Sequence, residues 1–562
     1  MKTSKTDNGK GYYLSYSSRG MAEIAPTFAD SPNRYFAACK TFGIVSIAIL
    51  LCGCWSGTSG AFGSQDASEE DGSPSDNRDG STGGDGDADG DADNDAEQDG
   101  SPDSGHDAGP VMDFGWHTFY GSYDDDEATG LAVDPGGNLI IVGHSRSTWN
   151  GPADQPPLHA HSEDPDVFIL KLSPQGGYLW HTFYGSNFNW GSKVALDHEG
   201  NIYVSGQSSF IPWNGPAGES PRHAPDGDFP AFVLKLNPDG VYQWHTFYGS
   251  GTGFERPTIA VNQEGDLYLA GYSTAPWNGP AGESPKIPFS TDGSDNIFFL
   301  KLSTDGEYEW HMFYPRDDIP SIAVDHEGNL FALLCTPAPF LWPFPETLDL
   351  LFLKINPEGD ILWLRQHGPA YGMCGNYGAD IVLDPNGNIY ALGDAACSWN
   401  GPEGQAPLHA QSDIFNIFVL KLDPQGEYVW HTFYGATRTQ MDVDEAQVTS
   451  ANIALDNHGR IYITGRSPTP WNGPDGQSPL NDPDGAGGFF VLCLDEFGEY
   501  HWHAFYDGES YTVSNDLDVD PDGNVSAIGT SDATWHGPDG KPPLHKYSGK
   551  IDIFVLKLIE AP

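Results

Sequence analysis

The sequence predicts an all-β fold: a seven-bladed β-propeller with four antiparallel strands per blade, its ring closed by an N-terminal outer strand that joins the C-terminal blade. Three observations carry this. The phrase WHTFYGS at 116–122 returns verbatim at 180–186 and 244–250, and looser copies begin at Trp310, Trp363, Trp430 and Trp502. Their spacings of 64, 64, 66, 53, 67 and 72 residues fall in the range of arrays and propellers. The repeated region also opens on this phrase with no strand before it, and ends on IFVLKL (553–558) with no such phrase after it. The two ends complement each other.

Each blade reads as four strands. The first two are phrases such as VALD and IYVSG (194–206), joined by Asp-x-x-Gly-Asn turn chemistry. Both are short and rich in β-branched and aromatic residues, the composition of strands. The third is the FVLKL phrase, first seen as VFILKL at 167–172, and x-Pro-x-Gly turns join it to the Trp phrase. Four-stranded units around an axis make blades, and a closed ring hides their edges. Residues 114–120 are then expected to supply the outer strand of the last blade. The aromatic content of 13 %, with 69 Gly and 44 Pro, suits short strands and many turns.

The formal charge of −53 makes nucleic acid a poor partner, because phosphates would be repelled. Residues 113–562, the propeller segment, hold 19 basic and 60 acidic residues, so the globular part is acidic in its own right. Residues 54–112 are dominated by Ser, Gly and Asp, which cannot build a core, and read as a disordered acidic tether. Asp85, Asp87, Asp89 and Gly90 match the start of a calcium loop, but position 12 is Ala96. Weak collective Ca2+ binding by the tether is the expectation, and no other cofactor is called for.

Residues 1–53 form a signal-like segment: a 13-residue apolar run follows Arg34 and Lys40, too short for a membrane span. Leu51-Cys52-Gly53-Cys54 resembles the lipobox of bacterial lipoproteins, which implies lipidation at Cys54 and attachment to a bacterial envelope membrane, with the outer membrane or cell surface expected. An uncleaved signal-anchor is the alternative, and Met21 offers a second start. The repeated phrases resemble the bacterial SBBP-type propeller repeat and the related NHL repeat across about 450 residues. That resemblance implies the VALD-type phrase as innermost strand and the Trp phrase as outermost. For function it implies only secreted or surface proteins of unknown ligand.

Length concentrates in the connection between second and third strands, which carries WNGP or WHGP at Trp149, Trp213, Trp277, Trp399, Trp471 and Trp535; the fourth unit has Trp342 instead. Loops displayed on a rigid ring are a natural place for binding, so these seven tryptophans are ligand-binding candidates for sugar or peptide. Six near-identical copies equally describe a loop staple with Trp packed on the blade. The repeated His117, His181, His245, His311, His431 and His503 fall on the outermost strand, too dispersed for one metal, and read as structural hydrogen-bonding groups. The repeated strand lysines are expected to pair with the repeated turn aspartates, or those aspartates to cap their own turns. Cys374 and Cys397 are expected to form a disulfide. No GxSxG, HExxH or phosphate-binding motif occurs, so no catalytic residue is assigned. The expectation is a lipid-anchored binding or scaffold protein for a protein or glycan ligand. A propeller hydrolase or lyase acting on an extracellular polysaccharide is the rival, and a structural envelope component the third reading.

Overall fold

The structure, a computed structural model, describes residues 112–561 except 163–164, 187, 210–211, 226, 228, 250–256, 292–295, 316–319, 338–347, 369–375, 413–415, 437–447, 483–487 and 507–510. Cys54, the tether, Trp342 and Cys374 lie outside the described residues.

Strand β1 (Met112–Tyr120) precedes the first complete blade. Blade 1 holds β2 (Asp126–Val133), β3 (Leu139–Ser145), β4 (Asp166–Leu172) and β5 (Tyr178–Tyr184). Blade 2 holds β6 (Trp190–Leu196), β7 (Ile202–Gln207), β8 (Ala231–Leu236) and β9 (Tyr242–Tyr248). Blade 3 holds β10 (Thr258–Val261), β11 (Leu267–Ser273), β12 (Asn296–Leu302) and β13 (Tyr308–Pro315). Blade 4 holds β14 (Ser321–Val324), β15 (Leu330–Pro337), β16 (Leu348–Ile355) and β17 (Ile361–His367). Blade 5 holds β18 (Asn376–Leu383), β19 (Ile389–Ala395), β20 (Asn416–Leu422) and β21 (Tyr428–Tyr434). Blade 6 holds β22 (Thr449–Leu455), β23 (Ile461–Ser467), β24 (Gly488–Leu494) and β25 (Tyr500–Tyr506). Blade 7 holds β26 (Thr512–Val519), β27 (Val525–Ser531) and β28 (Asp552–Glu560), and takes β1 as its outer strand in the order β1-β28-β27-β26. The closure read from the two chain ends is therefore the observed one: β1 runs antiparallel to β28, with His117 opposite Leu556 and Tyr120 opposite Ile553. All seven sheets are four-stranded, six of them meanders of consecutive strands.

Blade packing explains why the chain repeats itself. Each core cluster is shared between adjacent blades, so each sheet meets the same neighbour on each side. Two outer-strand tryptophans donate their indole N–H to the following blade's turn, Trp116 to the Pro174 carbonyl at 3.2 Å and Trp310 to the Pro357 carbonyl at 2.8 Å. The third-strand lysine also crosses, Lys171 Nζ donating to the Pro238 carbonyl at 3.1 Å and Lys235 to Thr304 at 3.2 Å. The repeated aspartates take both expected roles. Asp134 Oδ1 accepts from the Gly136 and Asn138 amides, while Oδ2 lies 3.0 Å from Lys171 Nζ. Lys354 meets Asp325 at 3.3 Å, and Lys557 meets Asp520 at 2.6 Å.

The glycine closing the second strand has a steric cause. The innermost strand bulges by one residue opposite it, between Ala128 and Gly130, Gly191 and Lys193, Gly378 and Asp380, Ser450 and Asn452, and Ser514 and Asp516. A β-carbon at Gly143 or Gly529 would sit 1.9 Å from the carbonyl oxygen of Glu127 or Val513.

The long loops do not stand on one face as their length suggested. They fold down the outside of the blade and pair with the free edge of its outermost strand. The Leu158 amide donates to the His181 carbonyl and the Phe183 amide to His159. The same two bonds recur at Arg222/His223, Lys286/Ile287, Leu408/His409, Leu480/Asn481 and Leu544/His545. An outermost strand has a row of unpaired backbone groups, and the loop covers part of it.

Candidate functional site: the axial channel

The WNGP tryptophans lie at the root of these folded loops and are buried: Trp213 is 3 % exposed and Trp277, among the most exposed, 7 %. Each indole stacks flat on the outer-strand histidine, Trp149 on His181 at 4.0 Å and Trp399 on His431 at 3.8 Å. Trp471/His503, Trp213/His245, Trp277/His311 and Trp535/His117 repeat this. The histidine binds the same loop. His181 Nε2–H donates to the Trp149 carbonyl at 2.9 Å, and because a carbonyl only accepts, Nδ1 is left to accept the Tyr178 hydroxyl at 2.8 Å. Burial, the dominant influence, pulls these six histidines down to about 4. The six tryptophans thus hold the loop to the blade, and a ligand could stack on them only if the loop lifted. Cys397 is half of a disulfide. Among the described residues no three His, Cys, Asp or Glu side chains are placed to hold a metal.

A different set of residues converges at the ring axis. Aligning the seven innermost strands on their shared apolar phrase puts Gly130, Lys193, Thr258, Ser321, Asp380, Asn452 and Asp516 at one position. It precedes a motif that otherwise barely changes, and it differs in nearly every blade. In five blades it directly follows the bulge, a device that re-aims side chains beside sites.

These side chains reach across blades. Lys193 Nζ of blade 2 lies 2.8 Å from Asp516 Oδ2 of blade 7, spanning blade 1. Asp516 Oδ2 also accepts the Leu131 amide at 3.0 Å. Asp380 accepts from Ser321 Oγ of blade 4 at 2.6 Å and from Asn452 Nδ2 of blade 6 at 2.7 Å. Burial opposes the charge on Lys193, but the Asp516 and Asp380 carboxylates outweigh it and hold the ammonium above its ordinary value. About a third of the lysine side chain still meets solvent, so water reaches the axis. Burial holds the Asp380 carboxyl above its ordinary range despite Lys193. Asp518, where most blades have Ala, binds the Val133 amide at 2.7 Å, and burial raises it to about 7.

The axial ring lies between two faces of the propeller. On the tight-turn face, Gln263, Asp325, His326, Asp384 and Pro385 line an open depression of about 490 Å3. On the other face, the blade-to-blade loops enter the innermost strands and carry exposed aromatics: Tyr511 entering blade 7 (43 % exposed), Tyr123 entering blade 1 (74 %) and Phe188 entering blade 2 (49 %). Phe188 has φ of 51°, left-handed backbone that a bulky residue rarely adopts, and lies 6.0 Å from the Trp190 ring. The Arg466 guanidinium sits 5.8 Å from the Tyr511 ring. Sequence reading missed both the ring and the aromatic loops. The ring's signal was the one unrepeated position inside a repeated phrase.

No protein-family model matches the chain. The curated "Uncharacterized WD repeat-containing protein L264" of Acanthamoeba polyphaga mimivirus is 21 % identical over 519 residues, covering 79 % of this chain and 33 % of its own length. The chain therefore spans about a third of that relative. A solved protein of unknown function from Dyadobacter fermentans overlaps 80 % of this chain and 100 % of its own at 10 % identity and a TM-score of 0.40. The β-propeller domain of the Trilobed protease from Pyrococcus furiosus overlaps 72 % and 92 % at 9 % identity and 0.37. Likeness of this degree assigns no function.

Proposed function

We propose that this chain is a non-catalytic binding protein whose ligand enters the axial channel, displayed from a bacterial envelope by a lipid on Cys54. The carrying observation is the axial position itself: the chain repeats its packing residues blade after blade, and varies the residue that faces the axis. Packing alone would favour one solution copied seven times. The carboxylates there favour binding over acid–base chemistry. Both oxygens of Asp516 and of Asp380 already accept hydrogen bonds, so neither is held ready to move a proton. The anchor rests on the lipobox-like sequence at 51–54, and the acidic segment after it would space the ring from the membrane.

The test screens the purified protein on glycan and peptide arrays beside Lys193→Ala and Asp516→Asn. A ligand lost by both variants at unchanged thermal midpoint supports the reading. A ligand indifferent to both, or polysaccharide cleavage abolished by either, replaces it. Fatty-acid labelling that persists in Cys54→Ser would remove the anchor.

A further inference from the structure

We propose that the ligand is a neutral saccharide chain that stacks on Tyr511, Tyr123 and Phe188, at the entries to the innermost strands of blades 7, 1 and 2, before its end reaches the axial ring. This rests on the binding reading above and adds the ligand class and the residues that grip it.

Three observations converge on that surface. The first is placement. Tyr511, Tyr123 and Phe188 stand one to three residues before β26, β2 and β6, the innermost strands of three consecutive blades. Each offers one large aromatic ring to solvent, and none of the three rings occurs at the same place in every unit. Exposed aromatics are costly for solubility, and three on neighbouring loops of a chain with this much charge call for a partner.

The second is strain. Phe188 is held at a φ that glycine would adopt freely, which costs stability and is retained where it presents a side chain. Trp190, two residues on and partly buried, lies against it as a floor. The Arg466 guanidinium beside Tyr511 restrains that ring and adds donors next to it.

The third is the chemistry at the axis. The axial ring mixes a donor (Lys193), acceptors (Asp380, Asp516) and groups that do both (Ser321, Asn452, Thr258). Sugar hydroxyls both donate and accept, and match such a ring, while the apolar C–H face of a pyranose matches an aromatic platform. Charge selects among sugars. A protein of net −53 repels uronate or sulfated polymers, which leaves a neutral chain.

The experiment uses the purified protein with cello-, laminari-, malto- and mannohexaose as probes and alginate oligomer as the anionic control, read by calorimetry and by tryptophan fluorescence. One neutral hexaose series should bind and alginate should not. Tyr511→Ala and Tyr123→Ala should each weaken that binding about 2- to 10-fold, the loss expected for one aromatic contact. Phe188→Gly should weaken it similarly while leaving the thermal midpoint unchanged or higher, because glycine relieves the left-handed backbone. Phe188→Tyr should restore binding. A hexaose bound equally by all variants overturns the placement. A peptide ligand lost in Lys193→Ala, with no hexaose bound, overturns the saccharide class and leaves the binding reading standing. If neither array yields a ligand, both readings fall.

Discussion

The joint between the last blade and the first contains two carboxylates where its neighbour contains one. A β-carbon on Gly121 would lie 2.8 Å from Asp552 Oδ1 and 2.9 Å from Asp126 Oδ2, so the two oxygens are at most 5.7 Å apart, the sum of those distances. At the joint of blades 1 and 2 the same two places hold Asp166 and Asn189, an acceptor facing a donor. Asp126 and Asp552 are both fully buried. Ser122 and Ser145 bind Asp126, and Ser548 binds Asp552. Burial raises Asp126 to about 7, with the Asp552 charge adding to it, and burial raises Asp552 to about 6. The folded joint therefore holds a proton that the unfolded chain, with aspartates near 3.9, has released.

The sign follows from linkage. Between about pH 4 and 7 the native state binds more protons than the unfolded state, so this joint loses stability as pH rises. At 1.36 kcal/mol per pH unit, ionising Asp552 in the folded joint costs about 2–3 kcal/mol. Asp552→Asn should remove that cost. Asparagine already stands at this place in blades 3 and 5, as Asn296 and Asn416, so the backbone accepts it. The assay is urea unfolding of wild type and Asp552→Asn from pH 4 to pH 8. The variant's advantage over wild type should grow by about 2–3 kcal/mol over that range, most of it between pH 4 and 6, and level off above pH 6. Parallel wild-type and Asp552→Asn curves across that range would refute the reasoning.

Other outcomes follow from the same geometry. The six stacked histidines stay neutral in the fold down to about pH 4 but titrate near 6.5 when unfolded. Asp126, Asp380, Asp518 and Asp552 act in the opposite sense. The six histidines outnumber these four carboxyls, so unfolding near pH 5 should take up protons on balance and stability should fall as pH drops from 6.5 to 4; a flat profile over that window would contradict the assignment. Gly529→Ala should cost about 3 kcal/mol or more, because the new carbon meets the Val513 carbonyl at 1.9 Å; a variant within about 1 kcal/mol of wild type would show that the bulge yields. Deleting residues 112–120 leaves β28 as a bare edge, and should give a protein that self-associates in light scattering and regains a single species when a peptide of that sequence is added.

What the sequence made legible was whatever seven blades must each solve alike. Four strands per blade, their order, the closing strand and the turn aspartates were all readable, because each recurs in register. The loops misled because length was taken as display. The missed signal was a fourth recurring phrase, Pro-Leu-His at 157–159, 407–409 and 543–545, with Pro-Arg-His at 221–223. Its backbone pairs with the outermost strand, and an unpaired edge is a property of the assembled sheet rather than of any one segment.

Irregularity does not by itself mark a site, and blade 6 shows why. Cys493 replaces the lysine that meets the turn aspartate in blades 1, 4 and 7, and the pairing phrase there lacks its histidine. Yet the same blade has Arg460 where most blades have asparagine, and its guanidinium meets both Asp456 and Glu560 of blade 7. The cation has moved from the third strand to the turn, and the joint keeps its charge pairing. Two departures that restore one contact are a packing solution. At the axis the changes run the other way: lysine, threonine, serine, asparagine and aspartate replace one another at one position, which follows a bulge in five blades, and no blade shows a second change that returns the position to a common contact. Swapping Lys193 and Asp516 is the discriminating case. Lys193→Asp combined with Asp516→Lys restores an opposite-charge pair and keeps the net charge, so the fold should survive, at a thermal midpoint lowered by the loss of the Asp516 acceptor from the Leu131 amide. If the ring is there to hold a ligand, the swapped protein should still fail to bind it; full binding would mean that the pair serves only to join blades 2 and 7.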